Sequence, residues 1–316
     1  MYISHVLLKF ISKREYVEDF LNGDFYMNTL YTFWNQKSLK EAKRKREAYI
    51  KAHPEENPDD IKIKMPQNLS GGQSDTLESV VGYGSNARFK PMFGEHILSD
   101  CIYQAVGFQY CNVLCFCRLD FYTPSYRLEY MCDNNLLINY DVPNMKEFGE
   151  YVLIIKDKQE FLRRISHAIG KMKYLCGDIE YKPLMRNGMK VDISDRHHIL
   201  VQQEPVANIL EIQTENGDCF SKFDKYSWQR EWRLAIYRGE KDTSPFTFHI
   251  GNLRDITYCT KTENLIPELD KLLIAGEIRP SKDRHYMYCG NITRSEMRKK
   301  FYQLGDNKAN LFLFIG

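Results

Sequence analysis

The chain has 316 residues, room for one large domain with insertions or for two small ones. With 43% hydrophobic and 13% aromatic residues it can bury a real core, which excludes disorder as its main state. Lys and Arg number 44 against 42 Asp and Glu, and a net charge of +2 gives no sign of a nucleic-acid coat or a membrane-surface protein.

No apolar stretch reaches the roughly 18 residues that span a bilayer, so no membrane partner is expected. The opening Met1–Lys9 has neither the charged leader nor the small-residue cleavage site of an export signal. Nine cysteines form an odd set without a Cys-x-x-Cys pair. Together these predict a cytoplasmic protein without a disulfide framework.

In chain order, residues 3–11 suit a buried strand, and Lys13–Asn22 places Tyr16, Val17, Phe20 and Leu21 on one helical face before Gly23. Phe25–Leu30 reads as a second strand. Residues 36–96 stand apart. Lys37, Lys40, Lys43, Arg44, Lys45, Arg46 and Lys51 make a basic run, followed by prolines, glycines and serines. This predicts a basic insertion or flap whose run Lys37–Lys51 either contacts a phosphate backbone or is a solvated helix face.

Val106–Leu119 is nearly continuous apolar sequence and predicts one or two core strands. A strand at Glu147–Ile155 and a helix capped by Asp157 and running to Gly170 follow. Strands are then expected at Gly177–Tyr181, Trp228–Tyr237, Phe246–Ile250 and Arg254–Tyr258, with a helix around Glu263–Ala275. Thr293 and Glu296 form a capping box that opens a last helix to about Leu304. The reading is one mixed α and β domain over residues 1–316, without a clean linker.

The nucleotide-binding, zincin and hydrolase signatures are missing. His197 and His198 are adjacent and would face opposite ways on a strand, a poor chelate, so no metal is assigned. Gln73, Asp75 and Glu78 form a polar group inside the insertion, read as solvated loop acids or as a substrate or cation contact.

The most informative segment is Phe220–Tyr237. As a strand from Trp228, it would put Trp228, Arg230, Trp232, Leu234 and Ile236 on one face and Gln229, Glu231, Arg233 and Tyr237 on the other. The second face would present a row of polar groups. Gln229-Arg230-Glu231 resembles the Gln-x-Glu motif of mono-ADP-ribosyltransferases. That resemblance implies a mainly antiparallel α+β core with flanking helices, NAD as co-substrate, and Glu231 facing the sugar cation that forms when the nicotinamide bond breaks. It further implies that Gln229 orients the acceptor and that Arg233 supports the ionised Glu231. It assigns the NAD contacts to His5 or Lys9 on the first strand and to Tyr26 with Asn28 on the next, with Arg233 among them. Cys115-Phe-Cys117 has the spacing of that family's Ser-x-Ser, with thiols in place of both hydroxyls.

A second resemblance is spread over about residues 5–260. Leu8–Ser12, Gly23–Leu30, Phe33–Asn35, Cys115–Cys117, Phe148–Ile155 and the block from Lys222 to Arg233 are similar to a widespread bacterial family carrying a domain of unknown function. It implies a prokaryotic or phage origin among defence or toxin genes. Taken together, the sequence predicts a toxin or antiphage effector that transfers ADP-ribose to a macromolecular acceptor. The alternatives are a non-enzymatic module binding nucleic acid or a partner, and a Mg²⁺-dependent phosphodiester enzyme built on Asp75, Glu78 and Glu231.

Overall fold

The computed structural model describes residues 2–34, 51, 80–89, 97–123, 148–183, 185–186, 189–190, 197–205, 218–279 and 288–315. The strands are β1 (Tyr2–Ile11), β2 (Asp24–Thr29), β3 (Val80–Phe89), β4 (Ile97–Ala105), β5 (Asn112–Thr123), β6 (Tyr151–Ile155), β7 (Lys173–Asp178), β8 (Glu180–Lys182) and β9 (Met185–Arg186). They continue as β10 (Met189–Lys190), β11 (His197–Pro205), β12 (Ser221–Phe223), β13 (Glu231–Tyr237), β14 (Phe246–His249), β15 (Thr257–Lys261), β16 (Cys289–Gly290) and β17 (Lys308–Ile315). The α-helices are α1 (Arg14–Asn22), α2 (Leu30–Trp34), α3 (Lys158–Ile169), α4 (Leu265–Ile274) and α5 (Arg294–Leu304).

Local chemistry accounts for most of these bounds. Val17, Phe20 and Leu21 give α1 its buried stripe, and Gly23 ends it in the left-handed conformation that a Cβ disfavours. The Asp157 carboxylate accepts the Glu160 N–H at 3.0 Å and starts α3. Thr293 and Glu296 form the reciprocal capping box of α5.

The principal sheet is nine-stranded, and all its pairings are antiparallel. Its path is β15-β6-β1-β5-β13-β7-β16, with β2 pairing both β5 and β14. A four-stranded sheet in the order β11-β17-β4-β3 and two two-stranded pairs complete the described strands. The structure is thus mixed α and β, mainly antiparallel and open. Among the described residues, no helix is long and apolar enough to cross a membrane.

Alternation along the strands sorts the core onto the two faces of the principal sheet. Leu7, Phe116, Trp232, Leu234 and Ile236 lie on one face and pack under α1 and α3. On the other, Val6 and Leu8 pack with Leu265 and Leu269 of α4, and Val113 and Ala235 pack with Met297 and Phe301 of α5. Each fully buried Val, Leu, Ile, Phe or Met side chain among them contributes about 1.5–3 kcal/mol relative to exposure.

One departure from regular pairing bears on the site. β1 leaves β5 at Leu8↔Cys117, and β2 joins the same edge at Asn28↔Val113. Leu114, Cys115 and Phe116 lie between, at a fork where both strands have turned away. The Lys9 ammonium enters this fork and donates to the Cys115 carbonyl at 2.9 Å, satisfying a backbone acceptor that the ladder leaves over.

Several expectations move. Val106–Tyr110 is a 3-10 turn, and a single strand starts at Asn112. Residues 254–256 are a turn, so the following strand is Thr257–Lys261. Of the insertion 36–96, Lys51 and Val80–Phe89 are described, and the latter is a strand. The basic residues Lys37 to Arg46 and the acids Asp75 and Glu78 lie outside the described residues.

Candidate functional site

The segment before Glu231 is not a strand. Asp224–Gln229 is a 3-10 helix, and Arg230 takes the left-handed conformation at φ 43°, which costs an L-residue about 1–2 kcal/mol. β13 therefore begins at Glu231, and the strand pattern read from Trp228 fails at its first three positions. The Tyr181 hydroxyl accepts the Glu231 N–H at 2.8 Å, and the Glu231 carbonyl accepts Ile179 N–H at 2.9 Å. Both main-chain groups at the head of the strand are thereby fixed.

The polar face of β13 is not exposed either. Glu231 and Arg233 are 7% and 1% exposed, and the residues from Glu231 to Ile236 are buried on both faces. α5 and the turn at Asp218–Ser221 cover the face that the alternation leaves polar. Burial of both charges forces them to pair.

Arg233 donates to one carboxylate oxygen of Glu231, from Nε at 2.7 Å and from Nη2 at 2.5 Å. Lys222 donates to the other oxygen at 2.9 Å and, from the same ammonium, to Gln229 Oε1 at 2.9 Å. The 3-10 turn brings Gln229 beside Glu231, where strand alternation had been expected to do so. The third guanidinium nitrogen, Arg233 Nη1, donates to the Cys219 carbonyl at 2.5 Å. A neighbouring ion cluster holds that turn: Arg294 grips the Asp218 carboxylate at 2.6 and 2.9 Å and reaches Glu180 at 3.0 Å.

Burial alone would raise the pKa of the Glu231 carboxyl, but Arg233 and then Lys222 outweigh it and bring it down to about 2. The group is a carboxylate at neutral pH. The Cys115 thiol lies against this carboxylate, and burial followed by the Glu231 charge pushes it up to about 12. Burial likewise pushes Cys117 up to about 12. Neither thiol supplies a thiolate nucleophile at neutral pH. Lys9 is lowered by burial, against the opposing pull of Cys115 and Glu231.

The remaining assigned residues divide. By register and alternation, Asn28 of β2, Cys115 and Cys117 of β5, and Glu231 and Arg233 of β13 share one face, and Tyr26 follows Asn28 on it. Asn28 Oδ1 is a buried acceptor without a donor among the described residues. Tyr26 is 43% exposed near the far edge, opposite Thr247 of β14. Lys9 projects on the opposite face, with Leu7 and Ile11, and reaches the group only through the fork. His5 lies on that opposite face too, its Nε2 2.7 Å from Lys158 Nζ.

Sequence reasoning gave no role to Tyr181 or Cys219, and included Lys222 in a matching block without a role. Tyr181 and Cys219 act through a hydroxyl and a carbonyl 50 and 14 residues from their partners, which no periodicity marks. Among the described residues, no group of three or more His, Cys, Asp or Glu is arranged to hold a metal ion. A separate groove at the start of α3 is lined by Lys156, Glu160, Arg163, Arg164, Asp255 and Arg279, and its charges close on one another, as Arg164 does on Asp255 at 2.5 Å.

Comparison of the chain with protein-family models, curated proteins and solved structures finds no match. The functional reading therefore rests on the residues themselves.

Proposed function

We propose that the protein is an ADP-ribosyltransferase-like effector that takes NAD as co-substrate and modifies a macromolecular acceptor. The observation that carries this reading is the convergence of Gln229 and Glu231 on Lys222, around a carboxylate kept ionised inside the protein. Buried ion clusters add little stability over apolar packing, and strongly shifted ionisable groups gather where chemistry is done. The orphaned acceptor Asn28 Oδ1, on the same face, suits a hydroxyl or amide donor of a ligand.

NAD supplies a ribose that becomes cationic as its bond to nicotinamide breaks. Glu231 stabilises that charge, with Arg233 holding one oxygen in place. Lys222 shifts off the other oxygen so that it can accept a ribose hydroxyl. Gln229, sharing Lys222, is then free to orient the acceptor. In this reading Asn28, and Tyr26 farther along the same face, line the approach, while Lys9 supports the Cys115 carbonyl from the opposite face. The same reading sets the protein in a prokaryotic cytoplasm as a toxin or antiphage effector, with nucleic acid as one acceptor class through Lys37–Lys51.

One observation favours a second reading. Both oxygens of Glu231 are already engaged, as they would be if the cluster only held the fold of a non-enzymatic binding module. Incubation of the full chain with tagged NAD and cell extract separates the two. Label transferred by the wild type and lost in a folded Glu231→Gln variant supports the transferase; equal label in both, or none in either, leaves the binding module.

A further inference from the structure

Cys176 and Cys289 lie 113 residues apart in sequence and directly opposite one another across β7 and β16. Their sulfurs are 3.1 Å apart, and the Cys176 thiol also donates to the Cys289 carbonyl at 3.0 Å. Both are thiols. Directly opposed residues of an antiparallel pair have Cα atoms about 4.5–5.5 Å apart. That falls within the span of about 4.4–6.8 Å that a disulfide bridges, so bonding asks the sulfurs to close by only about 1 Å.

The contact is held from both sides. A Cβ at Gly290 would sit 2.3 Å from the Tyr174 carbonyl oxygen, and one at Gly177 would meet the Tyr288 ring at 2.4 Å. Only glycine at these places lets β16 approach β7 this closely. The Tyr288 hydroxyl donates to the Asp178 carbonyl at 3.1 Å. The Asn291 side chain accepts from Tyr174 N–H at 3.0 Å and donates to the Met172 carbonyl at 2.8 Å. Residues on either side of Cys289 are thus anchored, and its sulfur is held over Cys176. The two thiols differ in access, Cys289 being exposed and Cys176 buried.

We propose that this pair is a thiol–disulfide exchange site for low-molecular-weight disulfides of the glutathione type. Cys289, as thiolate, attacks the small disulfide, forming a mixed disulfide and releasing one small thiolate. Cys176 then loses its proton and attacks the Cys289 sulfur, expelling the second small thiolate. One small disulfide is reduced to two thiols as two cysteine thiols become one disulfide, and the electrons balance. The closed bond ties β16, and the helix α5 that follows it, to the strand next to β13. Since Arg294 of α5 holds the turn whose Cys219 carbonyl receives Arg233, oxidation stiffens the support of Glu231. The exchange chemistry itself does not depend on the transferase reading.

The test is treatment of the full chain with oxidised glutathione, then alkylation and peptide mass spectrometry without reduction. The expected result is a Cys176–Cys289 peptide pair, loss of two alkylatable thiols, and their recovery with dithiothreitol. Cys176→Ser should instead stop at a glutathione adduct on Cys289, and Cys289→Ser should leave Cys176 reduced. A wild-type chain that accumulates the adduct on Cys289, pairs it with another cysteine, or stays reduced overturns the proposal.

Discussion

Arg233 lies across the carboxylate of Glu231, two residues earlier on the same strand, giving it two hydrogen bonds while a third ties the guanidinium to the Cys219 carbonyl. A carboxylate held this way is part of the fold as well as a candidate for chemistry. Removing the carboxylate strands two buried cations, Arg233 and Lys222.

Glu231→Ala should therefore destabilise by about 3–5 kcal/mol, the usual cost of an uncompensated buried charge. Lys222→Met in the Glu231→Ala background should recover part of the loss, since one of the stranded cations is then gone. Urea denaturation of the two single variants and the double variant measures the coupling. Additive losses would place the two side chains outside one network.

Acid should weaken the protein through the same group. The folded pKa of Glu231, at about 2, lies below its ordinary value of 4.5, so ionisation favours the folded state. The contribution is complete above about pH 4.5 and is lost as the pH falls toward 2. Melting temperature against pH should fall more steeply over that interval in the wild type than in a folded Glu231→Gln variant. Parallel curves would mean that the carboxyl is not held ionised by its neighbours.

Lys9→Met removes the donor at the fork between β1 and β2 and leaves the Cys115 carbonyl buried without it. A loss of about 1–3 kcal/mol is expected. Amide hydrogen exchange should show faster opening around residues 114–116. Unchanged exchange there would mean that the fork does not depend on this lysine.

Arg294→Lys keeps the charge but not the two-pronged grip on Asp218, whose side chain is 2% exposed. We expect about 1–3 kcal/mol of destabilisation, together with weaker protection of the Cys219 turn. Wild-type stability in this variant would assign the hold on Asp218 to Arg298, which lies 3.3 Å from it.

Much of this fold was legible because its cues are local. Asp157, Gly23 and the Thr293–Glu296 box mark helix ends through their own backbone chemistry, and the helices they delimit are where periodicity put them. Residue 231 stood out for a similar reason, as part of a short dense motif. The surroundings of that motif were not legible. Period-two alternation assigns a residue to a face but says nothing about what covers it, so Glu231 and Arg233 read as exposed. The left-handed Arg230 breaks the alternation, and the sequence gives no warning of it because arginine carries no preference for that conformation. Tyr181 and Cys219 enter through long-range topology alone.

Nicotinamide released from NAD by the purified full chain, followed over time for wild type and for Glu231→Gln, tests the central claim most directly. Circular dichroism should first establish that both are folded. The account expects steady release by the wild type and a drop of at least about a hundredfold in the variant, the scale seen when a charge-stabilising group is removed from an active site. Equal release from the two folded proteins would contradict it.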